Sequence, residues 1–258
     1  MLSAAACVIS AESIDAFAQP DKSQTPLQRQ IEVQKQRLSS ADAEERRDAL
    51  MKLGLMKRPE ASRAAGAALN DAEPAVRVAA AHALASAPSP DTTNLLLPLL
   101  GDKLEFVRRE VAYALGEAGN RAAVAPLSNL LGADKEMSVR AAAAVALGRI
   151  KDESAVIALA KAIDERPPKK KAGEYDFVRR AAIVSLGEIR NPAAVPSLIS
   201  VLNNEKDSVD IRRAAATALG KIGSDSAVPA LQSAFHSDDP FLSDAAREAL
   251  RRMHAPLK

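Results

Sequence analysis

Residues 139–148 read Val-Arg-Ala-Ala-Ala-Ala-Val-Ala-Leu-Gly, and the same phrase returns along the chain as an aliphatic residue and Arg, an Ala-rich stretch, and a Leu. It runs from Val76-Arg77 to Leu84, Val107-Arg108 to Leu115, Val139-Arg140 to Leu147, Val178-Arg179 to Leu186 and Ile211-Arg212 to Leu219. Degenerate copies run from Arg46 to Leu53 and from Ser243 to Leu250. The seven leucines, from Leu53 to Leu250, fall 31, 31, 32, 39, 33 and 31 residues apart. A period of this size marks a repeat array in which each unit buries its apolar face only against its neighbours, with atypical units capping the ends.

The punctuation predicts two helices per repeat. Gly54, Gly116, Gly148, Gly187 and Gly220 directly follow the anchor leucine and are expected to end the first helix as left-handed residues. Asn191 before Pro192, and Asp152 or Ser154, offer caps for the second, which opens with phrases such as Ala-Val-Pro-Ser-Leu at 194–198. Pro126, Pro196 and Pro229 lie inside that second helix and predict a bend. It closes at Leu100, Leu131, Ile163, Leu202 and Phe235, before acidic turns at Asp102, Asp134, Asp207 and Asp238. Composition agrees with close helix packing: 47% of the residues are apolar, only 3% are aromatic, and Trp is absent. The expected fold is all-α, a right-handed α-solenoid of about seven helical hairpins over residues 41–258.

On these residues the chain resembles the short HEAT-like repeat of phycobilisome-lyase-type and other bacterial HEAT-repeat proteins. The resemblance covers about residues 41–257 and rests on Asp-x-x-x-x-Val-Arg-x-x-x-Ala-x-x-Ala-Leu-Gly followed by Ala-Val-Pro-x-Leu. Thr-Pro-Leu-His and Trp, which would mark ankyrin and tetratricopeptide repeats, do not occur. The resemblance implies that the Val-Arg helix lines the concave side, that the proline-containing helix forms the convex side, and that Asp and Arg of adjacent repeats form a ladder. The arginines directly after the aliphatic residue, Arg77, Arg108, Arg140, Arg179 and Arg212, recur in every central repeat and take that structural role.

Helical spacing separates the packed face of the Val-Arg helix from its free face. Counting from the aliphatic residue, positions +4, +7 and +8 form the core stripe: Val111, Ala114 and Leu115; Ala143, Ala146 and Leu147; Ala215, Ala218 and Leu219. Positions +2 and +6 lie on another face, where stacking repeats would align Arg47, Arg109, Arg180 and Arg213 with His82 and Tyr113. Such a row suits an acidic, partly apolar segment of another protein, since Arg pairs with carboxylate and Tyr adds rigid amphipathic area. The same arginines could equally be solvated or paired with nearby acids. The interval of 39 holds an insertion within Asp164–Tyr175, with two prolines and Lys169, Lys170 and Lys171, read as a basic loop that is either a weak binding element or simply solvated.

Other chemistry finds little material. Lys plus Arg number 35 against 33 Asp plus Glu, a net charge of +2, so a nucleic-acid binder is the less favoured class. His82, His236 and His254 fall in different repeats without the His-Glu pairs of iron-dependent HEAT-repeat hydroxylases, and with one cysteine no Cys-based metal cluster is expected. Nucleotide-binding glycine loops and hydrolase elbows do not occur. Expectation therefore centres on a non-catalytic scaffold without cofactor or metal. A bilin-lyase-type subunit is the enzymatic alternative, resting on fold alone. Residues 1–18 are either a signal or a disordered segment: Ala16-Phe17-Ala18 before Gln19 and the apolar run 2–11 favour export, while the missing basic start and Glu12 and Asp15 oppose it, and a lipid anchor at Cys7 is weaker still. Export and a cytoplasmic location both stay open, as does the oligomeric state. The apolar run is too short for a membrane span. Residues 19–40 read as a polar tail into a capping helix, with Leu27, Ile31 and Leu38 on one face.

Overall fold

A computed structural model describes residues 24–165 and 172–257, the side chains of 172–174 excepted. The expected signal segment, Cys7 and the lysines Lys169, Lys170 and Lys171 lie outside the described residues. Fourteen α-helices and no strand occur among the described residues. They alternate between two layers. The inner layer holds α2 (Ala43–Leu55), α4 (Pro74–Ser86), α6 (Glu105–Ala118), α8 (Met137–Ile150), α10 (Ala172–Ile189), α12 (Val209–Ile222) and α14 (Pro240–Arg252). The outer layer holds α1 (Pro26–Arg37), α3 (Pro59–Ala64), α5 (Thr92–Leu96), α7 (Val124–Ala133), α9 (Val156–Asp164), α11 (Val195–Asn203) and α13 (Val228–Phe235). Each outer helix packs on the inner helix that follows it, so the chain is an α-solenoid of seven hairpins. Successive inner helices touch along much of their length, while outer helices meet their neighbours only sparsely. We refer to the free face of this closely packed Val-Arg layer as the concave side.

The core is continuous from Ile31 to Leu250, and Val111, Ala114, Leu115, Ala143, Ala146, Leu147, Ala215, Ala218 and Leu219 are all buried. Ala112 and Ala142 are buried as well, because an inner helix packs on two inner neighbours besides its own outer partner. Its apolar arc is correspondingly wider than a single stripe. Small residues let these helices approach closely, and the extreme case is the glycine that follows five of the seven anchor leucines.

Those glycines do not end the helices. Gly116 lies within α6, which runs on to Ala118 and ends at the left-handed Gly119 (φ 70°), and α12 likewise passes Gly220 and ends at Gly223 (φ 74°). In α8 and α10 the left-handed residue is Lys151 or Arg190. The helix thus ends three residues later than the Leu-Gly pair suggests. What the glycine provides is room: a Cβ on Gly116 would stand 2.7 Å from Ala146 Cα, one on Gly220 2.7 Å from Ala249 Cα, and one on Gly148 2.8 Å from Ser185 Cα. These are the points where inner helices of adjacent repeats meet backbone to backbone.

The prolines do not bend the outer helices either. Asn120, Asp152 and Asn191 cap short 3-10 turns through side-chain oxygens that accept the amide of the second residue on. Each turn hands over directly to α-helix, and Pro126, Pro196 and Pro229 stand at the second or third residue of α7, α11 and α13. A first-turn position needs no intrahelical bond from the proline nitrogen, so the ring is accommodated without a kink. The last four residues of the expected insertion, 172–175, are helical. Helix α10 starts at Ala172, about one turn earlier relative to its Val-Arg pair than α6, α8 or α12.

Candidate functional site

Two sets of arginines emerge from the inner helices, and the structure uses them differently. The first set follows the aliphatic residue, or Glu45 in the degenerate first copy, and projects to the edge where one outer helix turns into the next inner helix. Arg46 meets Asp71 through Nε at 2.7 Å and Nη2 at 2.8 Å, and Arg108 meets Asp134 at 2.7 and 3.0 Å in the same two-pronged way. Arg77 pairs with Asp102, Arg140 with Glu165 and Arg179 with Asp207. Arg77, Arg108, Arg140 and Arg179 are buried, and each also donates to backbone carbonyls. Burial pushes the Asp134 carboxyl up, but hydrogen bonds from Arg108 and the Glu136 amide outweigh it and hold Asp134 below the usual carboxylate range. Hydrogen bonds from Arg46 hold Asp71 low in the same way, against its partial burial. These pairs tie each repeat to the next. Arg212 differs: its Nε donates to the Leu202 carbonyl at 2.9 Å, without a carboxylate partner among the described residues.

The second set lies on the concave side. Arg47 is bound to Glu44 at 2.6 Å, Arg109 to Glu110 at 3.1 Å and Arg213 to Asp210 at 3.1 Å. His82 stands 3.3 Å from Glu110 and 4.0 Å from Glu117. Three of the four arginines are thereby partly neutralised. Arg180 is exposed and has no carboxylate partner among the described residues.

Arg180 borders an open groove of about 520 Å³ on α6, α8 and α10, floored by Tyr113, Val145, Phe177 and Val184. Lys151, the left-handed residue that ends α8, lies on its rim. Phe177 and Val184 are exposed despite their apolar character. A second depression of about 600 Å³ is lined by Met51, Leu55, Val78, His82 and Phe106 near the amino-terminal end of the array. The expected row therefore divides: Tyr113 and Arg180 share the central groove, Arg47 and His82 share the other, and Arg180 and Arg213 meet at a small polar hollow beside Asp210 and Thr217.

One row was not anticipated from the +2 and +6 positions. Phe106, Phe177 and Phe241 each precede the aliphatic residue of their repeat, and all three are exposed. The Arg109 guanidinium lies 5.5 Å from the Phe106 ring and that of Arg213 lies 5.2 Å from the Phe241 ring of the next repeat. For Phe106 and Phe177 the signal was present in the sequence as Phe three residues before Arg, the spacing of neighbours on one helix face, whereas Phe241 is followed at that spacing by Asp244. The concave side thus carries aromatic ledges interleaved with guanidinium groups. Among the described residues no group of three or more His, Cys, Asp or Glu is placed to hold a metal ion, and no helix is long and apolar enough to cross a membrane.

A family model of HEAT repeats matches residues 31–114, 105–174 and 171–251. Among solved structures, the complex of CpcE and CpcF of phycocyanin lyase from Nostoc sp. PCC7120 is 23% identical, with 95% of this chain and 98% of that chain covered and a TM-score of 0.52. The Escherichia coli protein YibA is 21% identical, with coverage of 87% and 82% and a TM-score of 0.56. At these identities the likeness is one of fold. No curated protein sequence matches the chain.

Proposed function

The chain belongs to the HEAT-repeat family, and from that premise we propose that it is a non-catalytic protein-interaction scaffold that holds an acidic, partly apolar segment of a partner on its concave side. The observation that carries this reading is the central groove, where exposed Phe177 and Val184 sit beside Arg180, which has no carboxylate partner among the described residues. Apolar side chains left in water next to an uncommitted guanidinium favour a ligand that covers the first and pairs with the second. The partner's acidic residue meets Arg180 and Lys151, and its apolar residues cover Phe177, Val184 and Tyr113. Arg47, His82, Arg109 and Arg213 flank this contact, and their carboxylate neighbours make them selective rather than strongly attractive.

The test is affinity capture with the full chain in three forms: unaltered, Arg180→Glu with Val184→Asp, and Ile157→Asp on the exposed outer side of α9. Circular dichroism establishes that all three are folded. A partner held by the first and third forms and lost by the second supports the proposal. Retention of the same partner by the groove variant refutes it.

A further inference from the structure

The rung at Arg212 is incomplete, and the way it is incomplete points to a ligand. Five successive arginines of this set, Arg46, Arg77, Arg108, Arg140 and Arg179, each hold a carboxylate contributed by the next turn. Arg179 shows the arrangement closest to Arg212: Nε donates to the Ile163 carbonyl at the end of the outer helix, while Nη1 and Nη2 take the two oxygens of Asp207 at 2.9 and 2.8 Å. Arg212 repeats the first half, Nε to the Leu202 carbonyl, and its terminal nitrogens then meet no acceptor among the described residues.

Sequence explains the gap. In three rungs the carboxylate residue also caps its own turn, Asp71, Asp102 and Asp134 each accepting the amide two residues on at 2.9 Å. At the sixth turn Ser237 takes that position, its Oγ accepting the Asp239 amide at 3.2 Å. The serine preserves the turn and supplies no charge. Asp238 lies beside the same space but makes no ion pair with Arg212. The space is an open, polar cavity of about 790 Å³ between α11 and α13, bordered by Arg212, Ser226, Ser233, Ser237, Asp238 and Glu205.

We infer that this cavity is a second binding site, separate from the concave groove, in which the carboxylate of an external ligand completes the Arg212 rung in the place Asp207 occupies on Arg179. The guanidinium fork is already oriented by its bond to Leu202, and the serine hydroxyls offer further donors to a polar ligand. A single carboxylate suits the cavity better than a phosphate dianion, because Glu205 and Asp238 lie on its border and repel extra negative charge.

The experiment follows thermal unfolding of the full chain at fixed ionic strength and neutral pH, with acetate, phosphate or a terminally blocked glutamyl peptide added in place of chloride. The unaltered protein gains roughly 3–6 °C when acetate or the peptide reaches about ten times its dissociation constant. Arg212→Gln loses this response. Ser237→Asp, which restores the internal carboxylate, starts from a higher midpoint and gives no response. A larger gain with the peptide than with acetate assigns the site to an acidic side chain of another protein, and the reverse assigns it to a free small carboxylate. Equal responses in all three proteins, or a response to phosphate alone, overturn the inference. It is also overturned if Asp238→Asn destabilises as much as Arg212→Gln and removes the response, since Asp238 would then be closing the rung itself.

Discussion

Replacing Gly116 by Ala sets two effects of known sign against each other. Inside a helix the change should stabilise by up to about 1 kcal/mol, since Ala is the better helix former, and by less in the last turn of α6, where Gly116 lies. The added methyl would stand 2.7 Å from Ala146 Cα and 2.9 Å from its Cβ. Carbon atoms in contact prefer about 3.5–4.0 Å, and the obstacle is backbone, so α6 and α8 must move apart by much of an ångström. Overpacking of a tight core costs typically 1–3 kcal/mol and occasionally more, and separating helices that touch along their length places this site at or beyond the upper end. The net expectation is a loss of about 2 kcal/mol or more. Gly54 provides the internal control, because a Cβ there would lie 3.3 Å from Ala83 Cα. Gly54→Ala should be close to neutral, Gly187→Ala intermediate with its 3.0 Å approach to Ala218, and Gly220→Ala as costly as Gly116→Ala. Urea unfolding of the four variants measures the series. An equal cost at all four positions, as loss of a left-handed cap would give, refutes the close-contact account, and so does stabilisation by Gly116→Ala.

Asp134→Ala should destabilise by about 3–5 kcal/mol in urea unfolding, because it leaves the buried Arg108 guanidinium without its carboxylate. Acid should act through the same pairs: the Asp71 and Asp134 carboxyls are held below their ordinary value of 3.8, so their contribution to stability is present above about that pH and is lost as pH falls through their lower folded values. Chemical denaturation at a series of pH values checks this, and the Asp134→Ala variant should show a shallower acid loss than the unaltered chain. Leu147→Ala, at a fully buried position, should cost about 2–5 kcal/mol through loss of contacts and a residual cavity, measurable in the same unfolding experiment.

Where the deciding interactions lie within one helix, the sequence was a sufficient guide. The spacing of the Val-Arg pairs and the anchor leucines located all seven inner helices, and the stripe through Leu115, Leu147 and Leu219 is buried throughout. The glycines misled because Leu-Gly is a common helix end, whereas what singles out Gly116 is the backbone of α8, about 30 residues away in the chain. The prolines misled because the 3-10 turn before α7, α11 and α13 shifts the frame, and a residue counted as interior is in the first α-helical turn. On the concave side the candidate arginines were found, but their pairing was not: Arg109 beside Glu110 and Arg180 without a carboxylate partner among the described residues have the same repeat position and differ only in their neighbours. Phe106, Phe177 and Phe241 escaped notice because the position before the aliphatic residue holds Ala75, Ser138 and Asp210 in the repeats that alternate with theirs. At the sixth turn the sequence pointed to Asp238 as the acidic residue, whereas Ser237 takes the position that Asp71, Asp102 and Asp134 hold in theirs.

The most direct measurement is hydrogen exchange of the full chain with and without its captured partner. The account predicts new protection on the concave helices α6, α8 and α10, centred on the segment from Phe177 to Val184, with α9, α11 and α13 unchanged. Protection confined to those outer helices would contradict it.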